Sequence, residues 1–132
     1  ELDAGPIAAQ QAFPIDPDDD AGAVYAKAAA VAVELLDSVL AGPLSFRPQQ
    51  GEPTYAAKIT ARDREIDWSL SAEELARKVR ALSPHIGARA TLHGRRVTIW
   101  KARVEGGRLV PVEVQPEGRR RMTYEEFLRG LR

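Results

Sequence analysis

The 132-residue sequence is long enough for one domain, or for one small domain with part of a second. It has no cysteine, which excludes disulfides and thiolate chemistry, and no apolar run nears the ~20 residues that a membrane-spanning helix needs. The net charge of zero hides a division: residues 1–54 hold two basic and nine acidic side chains, residues 55–132 hold 17 basic and 10 acidic. Such asymmetry points to two units with different partners, the basic one suited to a polyanion that releases counterions on binding. An ordinary soluble Arg-rich surface is the competing reading. The only Met is Met122 and the sequence opens on Glu1 in mid-pattern, so a longer polypeptide is expected.

The acidic part comes first. Ile7, Ala9, Gln11, Phe13 and Ile15 recur at period two over 6–15, which predicts a strand, and Pro6 and Pro14 suit strand ends or an edge rather than a central position. Asp16, Asp18, Asp19 and Asp20 then crowd the start of a helix, where the dipole favours negative charge. Their spacing lacks the Gly and Glu of a calcium loop, so they read as caps. The helix is predicted over 21–41, with Val24, Ala28, Val31, Leu35 and Val39 as its stripe and Gly42-Pro43 as its stop. Residues 42–54, GPLSFRPQQGEPT, have no periodicity and read as a linker.

In the basic part, a short strand is expected at Ile66-Asp67-Trp68. A helix follows with Ser71 as N-cap, Glu74 completing a capping box, and Leu70 with Leu75 as a hydrophobic staple. Leu75, Val79 and Leu82 form its apolar face, Arg77, Lys78 and Arg80 point to solvent, and Pro84 ends it. A hairpin turning at His93-Gly94 follows, then a second tight turn over Val104–Arg108. Pro111 confines the next strand, Leu109–Val114, to an edge or bulge. Pro116–Arg121 is an exposed basic loop. The last helix starts in a capping box of Thr123 and Glu126, with Tyr124, Phe127, Leu128 and Leu131 as its apolar face.

Several of these segments carry a resemblance. IDW at 66–68, the capped helix, RALSPHIGA at 80–88 and IWKA at 99–102 resemble the C-terminal domain of the methionyl-tRNA formyltransferase family. YAAKIT at 55–60 and VQPEGRRRM at 114–122 are similar to the same family, and the likeness runs from Leu2 to about Gly130. It implies an α+β fragment. Residues 1–41 correspond to the final strand and helix of a Rossmann-like formyltransferase domain, 42–54 to a linker, and 55–132 to a small OB-like β-barrel with helices. The barrel is expected to be reduced or open, because Val104 to Leu109 is a short turn where the family carries further strands.

The resemblance also implies the chemistry. ELDAGPI resembles the loop in which a catalytic Asp works beside an Asn and a His, so Asp3 is the catalytic candidate and Leu2, Asp3 and Gly5 the folate-contacting ones. The Asn and His belong to a stretch expected before Glu1, which would leave this fragment inactive alone. Read without the resemblance, Asp3 is a solvated carboxylate. The implied reaction moves a formyl group from 10-formyltetrahydrofolate, without a metal, to the amino group of methionyl-initiator tRNA, in a cytoplasmic monomer. His85 and His93, with no cysteine and no paired ligand spacing, predict no metal site. The predicted tRNA-binding set is Arg89, Arg95, Arg96, Lys101 and Arg103 on the hairpin and Arg119, Arg120 and Arg121 in the loop. Arg89, Lys101 and Arg103 are expected side by side on exposed faces. Trp68 and Trp100 are expected in the core rather than stacked on bases. Two rivals remain: the C-terminal portion of a sugar-nucleotide formyltransferase, and a stand-alone RNA-binding module.

Overall fold

The two periodicities settle into three helices and four strands in this computed structural model, which describes residues 3–131. In order these are α1 (Ala21–Ala41), α2 (Ala72–Leu82), β1 (Ala88–Leu92), β2 (Arg95–Glu105), β3 (Arg108–Pro116), β4 (Met122–Thr123) and α3 (Tyr124–Arg129), with a 3-10 turn at Arg62–Arg64 before α2. The chain divides into two units. One runs up to Pro17 and includes Ala23–Lys58; the other is Asp18–Gly22 with the residues from Ile59 onward.

In the first unit α1 forms where its stripe predicts, but it has no buried residue; Val24, Ala28, Val31, Leu35 and Val39 are half-buried. The strand expected over 6–15 does not form among the described residues. Only Ile7 exchanges two backbone hydrogen bonds, at 2.8 and 3.1 Å, with Arg47. A strand needs a neighbour along its length to take its N–H and C=O groups, and here one residue of 42–54 is all that opposes it. That segment is therefore a clasp as well as a connection. Asp16 accepts from Lys27 Nζ at 2.7 Å, so this carboxylate forms an ion pair with the helix side chain.

In the second unit the strands make one antiparallel sheet in the order β1-β2-β3-β4. β1 and β4 are its two edges, so the sheet is open rather than closed into a barrel. The turns form at the residues expected: His93 and Gly94 have φ of 50° and 74°, Gly106 and Gly107 57° and 71°, which suits the twist of the flanking strands. β4 reaches only Glu113 and Val114, so Pro111 lies where β3 has a free side and needs no N–H donor there. The register also shifts around Lys101, almost opposite that proline.

One face of the sheet carries the core. Leu75, Val79 and Leu82 of α2 and Phe127 of α3 pack on Ala88, Ala90, Val97, Ile99 and Val114. Each large side chain so buried contributes about 1.5–3 kcal/mol. Ile66 joins this core, but no strand forms around it; its N–H donates to Arg89 O at 2.8 Å within a lone parallel bridge between Glu65 and Arg89. Asp67 then accepts from Ser69 N and Oγ, at 3.0 and 2.7 Å, and turns the chain. Trp68, expected in the core, is consequently 51% exposed, and Leu70 is 42% exposed beside buried Leu75. Lys78 and Arg80 are half-buried rather than free, with Lys78 Nζ donating to Glu65 O, and Leu128 faces solvent.

Both capping boxes are present: Ser71 with Glu74, and Thr123 with Glu126. Hydrogen bonds from Ser71 hold the Glu74 carboxyl below its usual 4.5, and those from Thr123 do the same for Glu126. A depressed folded value adds stability above the unfolded pKa and loses it as pH falls through the folded one. The urea midpoint is therefore expected to hold near neutrality and to drop once pH passes below about 4.5. A midpoint unchanged through that acid range would show that the boxes contribute nothing.

Candidate nucleic-acid interface

Strand alternation puts Val97, Ile99 and Val114 towards the core, so the residues between them stand on the opposite face. Arg89, Thr98 and Gln115 form one cross-strand row there. Thr91 and Arg96 form the next, extended by Glu117, whose N–H donates to Arg96 O at 3.1 Å. With Arg64, Glu65, Trp100 and Gly118 they line a concavity of about 520 Å³.

Arg64 is fixed by two backbone carbonyls: Nε donates to Gly87 O at 3.1 Å and Nη2 to Ile86 O. Burial first, then the neighbouring Arg89, lower its pKa, while Glu65 opposes the shift. Guanidinium remains charged at neutral pH regardless. Nothing in the sequence marked Arg64, because its partners lie more than 20 residues away and belong to a turn.

Trp100 also lies on this face, yet it is only 9% exposed. Arg121 covers it, with Cζ 3.5 Å from the ring centroid. Arg121 also donates to Pro84 O at 3.0 Å and lies 3.8 Å from Glu113 Oε1. The indole Nε1 donates to Gln115 Oε1 at 3.1 Å, and Gln115 Nε2 donates to Arg119 O at 2.9 Å. Trp100 thus tethers the basic loop through Gln115, and Arg121 is part of the fastening.

The structure divides the predicted arginines and lysine. Arg89 and Arg96 share the groove. Arg95 is exposed opposite Leu92, at the start of β2. Lys101 and Arg103 lie beyond or at the register shift, opposite Glu113 and Val110, so they do not flank Arg89; a bulge interrupts the alternation that predicted it. Arg103 pairs with Glu105 at 3.1 Å. Arg119, Arg120 and Arg121 are all exposed, and Arg121 is in addition held by the contacts described.

In the first unit Asp3 is exposed with φ of 60°, a left-handed conformation that Asp adopts more readily than most residues. Gln49 Nε2 fixes this turn, donating to Asp3 O at 2.7 Å and Gly5 O at 2.8 Å. Leu2 lies outside the described residues. Asp3, Ala4 and Gly5 are all exposed, so they offer a carboxylate and backbone groups but do not by themselves enclose a folate. The chain has no Asn, and both histidines belong to the second unit, where His93 Nε2 lies 3.2 Å from the Tyr124 hydroxyl.

Residues 58–108 match the family described as formyl transferase, C-terminal domain. The chain is 40% identical over 161 aligned positions to the methionyl-tRNA formyltransferase of Rubrobacter xylanophilus, covering 98% of this chain and 52% of the relative. It is 34% identical over 163 positions to that of Dictyoglomus turgidum, covering 99% and 52%. Alignments longer than the 132-residue chain mean that the relatives carry segments it lacks. The chain spans about half the length of the curated relatives it matches. On these matches, the chain belongs to the methionyl-tRNA formyltransferase family and corresponds to its C-terminal portion.

Proposed function

We propose that this chain is the tRNA-docking portion of a cytoplasmic, monomeric enzyme that formylates methionyl-initiator tRNA from 10-formyltetrahydrofolate. The supporting observation is the gathering of basic charge in residues 55–132, with three arginines lining one groove. Phosphate contacts from such a surface orient a folded RNA without reading its bases. On this reading the first unit is the closing part of a Rossmann-like catalytic domain and the second a reduced OB-like domain. Asp3 contributes to the reaction centre. Its carboxylate orients an imidazole supplied elsewhere in the enzyme while the amino group attacks the formyl carbon.

The sugar-nucleotide rival predicts a small amine as acceptor and gives the arginine groove no use. The intact enzyme, offered labelled formyl donor with methionyl-tRNA in one reaction and an amino-sugar nucleotide in another, is expected to label the tRNA. Label entering only the sugar nucleotide would contradict the proposal. A stand-alone RNA-binding module predicts no transfer to either acceptor.

A further inference from the structure

We infer that the groove of Arg64, Arg89 and Arg96 is a built phosphate subsite, taking a backbone phosphate of the docked RNA. The inference rests on the tRNA reading above and adds to it the residues and the mode. Three guanidiniums converge there against two carboxylates, Glu65 and Glu117. None of the three arginines forms a salt bridge among the described residues. Arg64 is anchored to Ile86 O and Gly87 O, so its position is set before any ligand arrives. Burial and then the neighbouring Arg89 lower its pKa, while Glu65 opposes the shift.

Thr91 and Thr98 line the same groove, and hydroxyl side chains can donate to an anion's oxygens. Guanidinium is the side chain whose planar fork matches phosphate. Base stacking is disfavoured at this place, because the Trp100 face is already occupied by Arg121. The groove therefore reads backbone, not sequence.

The test uses the whole chain, unfractionated tRNA as probe, and the variants Arg89→Gln and Arg96→Gln, with Arg77→Gln on the exposed side of α2 as control. Each groove variant is expected to weaken binding about tenfold and to make the salt dependence shallower by about one counterion, with Arg77→Gln near the wild type. Arg89→Lys restores charge without the fork and is expected to recover part of the affinity, which repair of a misfolded variant would not require. If both Gln variants bind as the control does while the wild type binds tRNA, the subsite is wrong and the tRNA reading stands. A wild-type chain that fails to bind tRNA at low salt overturns the reading and this inference together. Inorganic phosphate that displaces tRNA from the wild type far better than chloride of equal ionic strength would make the groove a free-anion site instead, and would overturn the assignment to RNA.

Discussion

Asp3→Asn in the intact enzyme is expected to lower kcat by a factor of about 10²–10⁴, the usual scale of general acid–base assistance. The amide keeps nearly the same shape but loses the negative charge that would orient and stabilise a protonated imidazole. The backbone of the turn should survive, since Gln49 holds it through the Asp3 and Gly5 carbonyls rather than through the carboxylate. Asn also tolerates the left-handed conformation that Asp3 adopts, with φ of 60°. An interaction used only in the transition state appears in kcat and leaves KM for tRNA nearly unchanged. Steady-state formylation by wild type and variant, with tRNA binding followed separately, checks this. A near-normal kcat would make Asp3 the solvated carboxylate that its exposure alone suggests.

Gly87→Ala is expected to destabilise the second unit by about 2–6 kcal/mol, from two causes of roughly 1–3 kcal/mol each. Gly87 has φ of 76°, where a side chain is strained. An added Cβ would overlap Thr98 Cγ2 and come within 3.0 Å of the Trp100 ring. Thr98 and Trp100 cannot retreat easily, because one is in mid-sheet and the other is pinned by Arg121 and Gln115. The same residue supplies the carbonyl that anchors Arg64, so the groove should loosen with the fold. Urea unfolding of Gly87→Ala, and of Gly87→Ala with Thr98→Ala, divides the causes: the second change removes the methyl clash and leaves the backbone strain with the close approach to Trp100. A single variant within about 0.5 kcal/mol of wild type would show that the close approach is not rigid.

What the sequence revealed was mainly local. Ser71 with Glu74, Thr123 with Glu126, the stripe of α1, and the His93-Gly94 and Gly106-Gly107 turns each depend on residues a few positions apart, and all formed as expected. The family resemblance was legible for the same reason, since its motifs are short and ordered. Features set by distant partners were not. Ile7–Ile15 has the alternation of a strand but only Arg47 to pair with. Trp68 has an apolar setting in sequence, yet Asp67 and Ser69 turn it outward. Arg121 looked like a third member of an arginine run, and its attachment to Trp100, Pro84 and Glu113 depends on how loop, sheet and turn meet. Arg64 carried no pattern at all. The groove became visible only when two strand rows and a 3-10 turn were brought to one place.

The most direct measurement is the affinity of the chain for initiator tRNA as salt is raised from about 50 to about 200 mM. If the basic surface docks RNA through its phosphates, each displaced counterion adds to the slope, and the dissociation constant should rise by roughly an order of magnitude or more over that range. An affinity that stays flat across it would contradict docking by charge.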